Sequence, residues 1–262
     1  MGDSLKDVRH ELASLVGDLP LLSVAAAGST TTLRDDSGLV EPDDDWEGAY
    51  IKIYAGPGLG QERVVASFAS HTLTVATAWG TPPASGSYYE MHRTWRAADY
   101  DRFIKMAYRA RRKRILLPMT YGSLVMIADQ YEYDAPTGMV ALNEVWKEDD
   151  DDDFSHIIPM RDLRVDRAAK KLIFDKTAAN YAGYIEGSRR LRLVGQKYDT
   201  IPTDDDDEFA INTTPLLWLA KASLHASEGN DASMKAALAM SQVDAEDDDT
   251  PLWPGSLIIE EV

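Results

Sequence analysis

Cysteine is absent from the 262-residue chain. That excludes disulfide staples, thiolate zinc sites, iron–sulfur clusters and cysteine nucleophiles. Long apolar runs are absent too. No stretch of about 18 apolar residues occurs, so no membrane span is expected. Histidine is sparse and dispersed. No two of His10, His71, His92, His156 and His225 lie within ten residues of each other, so a helical His-x-x-x-His metal pair is missing. Neither G-x-x-x-x-G-K-[ST] nor G-x-S-x-G occurs. The reading therefore assigns no catalytic residue, no metal ligand and no cofactor. Basic charge is scarce as well: 27 Lys+Arg stand against 44 Asp+Glu, a net of −17. Such a chain is not expected to wrap nucleic acid over its whole surface. The opening residues Met1 to Asp7 are polar, and Lys6 stands where a myristoylation signal needs Ser or Thr. A soluble, unprocessed chain is expected.

What is present is an ordinary globular mix, 44% hydrophobic and 27% charged. Leu5, Val8, Leu12 and Leu15 form an apolar stripe behind a possible cap at Asp3 or Ser4. From Val24 to His92 short β-prone runs alternate with turns. Tyr100, Phe103, Ile104, Ala107, Tyr108 and Ile115 keep a helical period, predicting a helix over 97–117 stopped by Pro118. Strand patterns return from Asp129 to Thr200, and Pro215 opens a helical end. The expected fold is α+β: a helical bundle with a small antiparallel β-barrel or sandwich insertion and a second β-rich region. Residues 1–21, 94–124 and 210–242 would form the helical core, with 22–93 as the inserted β-domain. Residues 125–209 would be the second β-rich region, and 243–262 an acidic linker and docking tail.

Three features invite a functional reading. Gly56-Pro57-Gly58-Leu59-Gly60 is spaced unlike a dinucleotide loop and precedes a strand, so a hairpin turn is expected. The runs Asp149 to Asp153, Asp204 to Glu208 and Glu246 to Asp249 lack the spaced ligands of a calcium loop and read as solvated loops. The stretch Arg93–Arg114 carries nine basic residues against Asp99 and Asp101. Its helix could pair with the acidic runs of the same or a neighbouring chain, or meet DNA phosphates. Arg102, Lys105, Arg109, Arg112 and Lys113 are the residues expected at that contact. The six tryptophans are scattered, which suits core or interface anchors better than a glycan platform.

Two sets of stretches resemble proteins of tailed bacteriophages. Gly28-Ser29-Thr30-Thr31-Thr32-Leu33, Trp46-Glu47-Gly48-Ala49, Gly56 to Arg63 and Leu73-Thr74-Val75 resemble a module of phage structural proteins. Tyr131 to Pro136, Ile158-Pro159, Leu172-Ile173-Phe174, Leu191 to Gly195 and the Ala- and Leu-rich end resemble head-to-tail connector proteins of the adaptor (neck) type. The resemblance implies a structural virion protein, not an enzyme. It would be made in the host cytoplasm and form a homo-oligomeric ring, usually twelvefold, at the capsid portal vertex. Its partners would be further copies, the portal protein, the next neck or tail protein, and DNA passing through without sequence specificity; no membrane is implied. In the resembling adaptors the C-terminal segment reaches into the portal, so Leu252, Trp253, Leu257, Ile258 and Ile259 are the expected docking residues. A distal tail or baseplate subunit, or a glycan-binding or depolymerase module, is the alternative.

Overall fold

A computed structural model describes residues 2–112, 115–150, 152–178, 189–243, 253 and 256–259. The fold is α+β, with helices and antiparallel sheets. Among the described residues no helix is long and apolar enough to cross a membrane. The chain divides into two compact units, Met1–Arg109 with Ile201–Asp247, and Ala110–Thr200 with Asp248–Val262.

In the first unit, helix α1 (Leu5–Leu15) starts at a reciprocal cap. Ser4 Oγ accepts from the Asp7 amide, and the Asp7 carboxylate accepts from the Ser4 amide, each at 3.2 Å. The helix buries Leu5, Val8, Leu12 and Ala13, and with them Arg9. Seven strands follow: β1 (Leu21–Val24), β2 (Ala27–Gly28), β3 (Thr32–Arg34), β4 (Tyr50–Ala55), β5 (Glu62–Ala69), β6 (Thr72–Val75) and β7 (Tyr88–His92). They form one antiparallel sheet in the order β1-β7-β4-β5-β6-β3-β2. β1 and β2 end that order without pairing to each other, so no closed barrel forms. They are nevertheless consecutive in the chain, and the single segment 21–28 serves both edges. One core of Leu33, Ile51, Ile53, Phe68, Tyr89 and Met91, together with Trp46 and Trp79, lines the sheet.

The glycine-rich segment is the β4–β5 turn, as its spacing indicates. Gly56 and Gly58 take φ of 81° and 90°, which L side chains rarely adopt. A Cβ on Gly56 would also sit 2.9 Å from the Gly86 carbonyl oxygen. Ser70 and His71, both at positive φ, make the tight β5–β6 turn. Helix α2 (Ala97–Arg111) buries Tyr100, Ile104, Ala107 and Tyr108. Helices α3 (Thr213–Ser227) and α4 (Asp231–Val243) pack as a hairpin, and α3 also touches α1. Asn212 caps α3 through the Thr214 amide, and Asn230 caps α4 through the Ser233 amide.

In the second unit, β8 (Leu116–Val125), β10 (Met139–Lys147), β11 (His156–Ile158), β14 (Arg190–Tyr198) and β15 (Leu257–Ile258) form a sheet ordered β11-β10-β14-β8, with β15 on β10. A second sheet joins β12 (Leu163–Asp166), β13 (Lys171–Phe174) and β9 (Glu132–Asp134). Leu142, Val145, Leu172, Phe174, Leu191 and Leu193 share its core.

Two boundaries differ from the sequence reading. The expected helix to Leu117 stops at Arg111, and Leu116 and Leu117 open β8 instead. Pro118 is accommodated because β8 is an edge strand, where a missing N–H costs no ladder bond. Residues 201–209 belong with the first unit rather than the second β-rich region. The Leu5 amide donates to the Asp207 carbonyl at 2.9 Å, and Ser4 pairs with Glu208 as an isolated bridge.

Candidate functional site

The densest polar assembly in the first unit is buried. Arg9, on α1, has no exposed side-chain surface, and neither has Glu90, on β7. Arg9 Nη2 lies 2.9 Å from Glu90 Oε1, and its Nη1 donates to Asp101 and to Asp205, each at 2.8 Å. Lys52 Nζ, from β4, lies 2.7 Å from Asp205 and 3.7 Å from Asp101. His10 Nε2 meets Glu90 on the other side, and His92 Nε2 lies 3.9 Å from the same carboxylate. One cluster thus ties α1, β4, β7, α2 and the acidic run Asp204–Glu208. Burial opposes charge on Glu90, but the hydrogen bond with His10 and the neighbouring charge of Arg9 outweigh it, holding the carboxyl far below the usual range. Asp205 is lowered against its burial in the same way by Arg9 and Lys52. The three carboxylates raise the Arg9 guanidinium despite its burial.

This overturns the reading of Asp204–Glu208 as a solvated loop. Only part of it faces water: Asp206 is 88% exposed, 3.2 Å from Lys6. Asp207 turns inward on its own loop, accepting from the Thr203 and Asp204 amides at 2.8 and 3.0 Å. Those bonds lower its pKa, and Lys105 adds to the effect. The cluster reaches the surface at His10, on the floor of a shallow hollow shared with Lys6, Tyr54 and Tyr88. Arginine and lysine sit between the carboxylates, and among the described residues no acidic or histidine group is arranged to hold a metal ion.

Of the predicted basic residues, Arg102, Lys105 and Arg109 lie on α2 and Arg112 follows its last residue. Arg102, 59% exposed and 3.4 Å from Asp99, shares an outer face with Lys105, Met106 and Arg109. Lys105 donates to the Thr203 carbonyl at 3.4 Å. Arg112 donates to the Asp199 carbonyl and stands over the Tyr198 ring. Lys113 lies outside the described residues. Arg93, expected in the same basic stretch, instead stacks on Trp46 at 3.9 Å and pairs with Asp45. The structure therefore brings Arg102, Lys105 and Arg109 together.

The acidic run of the second unit is an ordered hairpin tip in its described part. Asp150 and Asp153 pair, and Glu148 accepts from the Arg190 guanidinium and amide, which hold its pKa down to about 2. Asp152, 78% exposed, points away at the tip, within 3.1 Å of Arg190.

The tail departs from its assignment as a free docking segment. Leu257 and Ile258 pair with Leu142 and Ala141 of β10. The Ile259 amide donates to the Val140 carbonyl at 2.7 Å, and its side chain enters the second unit's core at 2% exposure. Burying these apolar groups on the chain's own sheet edge removes them from water without a partner. Trp253, 41% exposed, keeps its amide on Gln196 Oε1. Leu252 and the run Glu246 to Asp249 lie outside the described residues.

No family model matches the chain, and no curated protein matches it. The buried cluster escaped sequence reading, although one signal pointed to it. Arg9 falls on the apolar stripe of α1 between Val8 and Leu12, where an unpaired charge would be prohibitive.

Proposed function

We propose that the protein is a structural subunit of the head-to-tail neck of a tailed bacteriophage. In this reading copies form a ring beneath the portal, extend the DNA channel and receive the next neck or tail component. Helices α1 to α4 form the ring wall as a bundle, and the seven-stranded sheet is its decoration. The resemblance in the strand and turn stretches supports this assignment.

The observation that carries it is charge segregation on one chain. Arg102, Lys105 and Arg109 make a basic face, while Asp152 and Asp206 project from acidic loops. Two unlike patches that attract each other on identical copies make a head-to-tail contact, and such contacts close into rings when the rotation permits.

The test is to mix the protein with portal rings and weigh the complex. A ring predicts about as many copies as portal subunits, and loss of assembly when Arg102, Lys105 and Arg109 are all changed to Glu. The variant should stay folded with at most a small drop in melting temperature, because the three side chains lie on the outer face of α2 and only Arg102 stands over a core ring, Phe103. Saturation at one or two copies per portal would sink the reading, as would normal assembly of the triple variant at low salt.

A further inference from the structure

The chain visits its two units in an unusual order. It leaves the second unit at Thr200, builds α3 and α4 of the first, and then returns to the second with its last residues. Among the described residues the returning strand β15 is the last regular element. It covers a part of the β10 edge that no other described strand covers: β11 pairs only with Val145 to Lys147, and β15 takes Ala141 and Leu142. The seat is specific. Besides the ladder and the buried Ile259, Ser256 Oγ donates to Asn143 Oδ1 at 3.1 Å. Without the tail, the slot presents bare strand edge beside an empty apolar hole, which is what an added strand recognises.

Every contact of this seat is made with the second unit, so none depends on which copy supplies the tail. The residues between Val243 and Trp253 include Asp244, Glu246, Asp247, Asp248 and Asp249. Nine residues can span at most about 30 Å. We propose that the β10 slot is a strand-docking site for the Leu257–Ile259 segment of a second copy, so that neighbouring copies exchange their C-terminal strands. Occupation by the chain's own tail is favoured only by the tether's effective concentration, on the order of 1 mM. A neighbour held close in an assembly competes on equal terms, because its tail would form the same ladder and fill the same hole.

The absence of cysteine makes the test clean. Asn143→Cys and Ser256→Cys are made singly in full-length chains, and together in a third. A short bis-maleimide is then added. The double variant, dilute, should close within one chain with no gain in mass. The two single variants, mixed at about 1 mM, should give a mixed covalent dimer holding one chain of each kind. Its yield should fall roughly a hundredfold at about 10 μM. A double variant that closes while the mixture gives only like-with-like dimers would overturn the proposal. So would a double variant that fails to close, since β15 would then not occupy its seat. Ring formation by the unaltered chain is weighed separately. A ring without the mixed dimer defeats strand exchange alone, and a mixed dimer without a ring defeats the neck reading alone.

Discussion

Arg9 Nη2 stands 2.9 Å from Glu90 Oε1 with both side chains wholly withdrawn from solvent. A pair so placed contributes little net stability while intact, because desolvating two charges offsets their attraction. Broken, it is costly. Arg9→Met would leave Glu90, Asp101 and Asp205 facing one another with only Lys52 and the two histidines nearby. The expected loss is about 3–5 kcal/mol, read from urea unfolding. A loss below about 1 kcal/mol would mean the cluster is open to water.

The same carboxylates set the acid limit of the fold. Glu90 and Asp205 are held below their ordinary values of 4.5 and 3.8. A carboxyl lowered on folding contributes stability that is complete above its unfolded value and is lost as pH falls toward the folded one. Melting temperature should therefore hold steady above about pH 5 and drop steeply below about pH 4. Glu90→Gln should lower the plateau and flatten the drop. A parent curve unchanged down to about pH 3 would contradict the assignment.

Local patterns were readable where local physics governs. The alternation Arg190-Leu191-Arg192-Leu193 became β14, and the α1 stripe and the turn at Gly56–Gly60 lie where their periods put them. What failed was non-local. Asp205 looks like a solvated member of an acidic run because its partner Arg9 is 196 residues away. Ile115, Leu116 and Leu117 continue the helical period of α2, yet β14 captures Leu116 and Leu117 as strand. An apolar tail behind an acidic tether reads identically whether it docks on its own sheet or on another chain.

Asp18 organises the passage from β7 into α2. Its carboxylate accepts from the Arg93, Thr94 and Trp95 amides at 2.8, 3.2 and 3.3 Å, and from the Tyr100 hydroxyl at 2.8 Å. Asp18→Ala strands these donors at a cost of about 1–3 kcal/mol each where buried. Hydrogen exchange should quicken first at Arg93 to Trp95. Unchanged exchange there would show that the carboxylate is dispensable.

Tyr89 and Tyr100 give an alkaline counterpart. Burial, then hydrogen bonding to Asp35 and Asp18 respectively, raises each phenol well above its ordinary value of 10.0. An acid group raised on folding contributes stability that is full below the unfolded value and lost as pH climbs past it. In an ultraviolet titration these two phenols should stay silent until the protein unfolds. Reversible titration of every tyrosine in the folded state would refute this.

Ile259→Ala should destabilise the second unit by about 2–5 kcal/mol, the usual range for emptying a buried aliphatic site. Truncation after Thr250 should do at least as much. Melting curves indistinguishable from the parent would return the tail to a purely external role.

The interleaved chain path also governs the order of birth. Ala110–Thr200 emerges from the ribosome before Asp205, α3 and α4 exist, so strands β8 to β14 can pair while the first unit still lacks its closing pieces. At roughly 5–20 residues per second, those ~90 intervening residues hold the earlier half waiting about 5–20 s. During that interval Arg9 and Lys52 have no Asp205, and the α1 surface that later receives α3 stays bare. A ribosome that stalls before residue 201 therefore leaves a nascent chain with an unsealed apolar face, a substrate for chaperones rather than a half-finished domain.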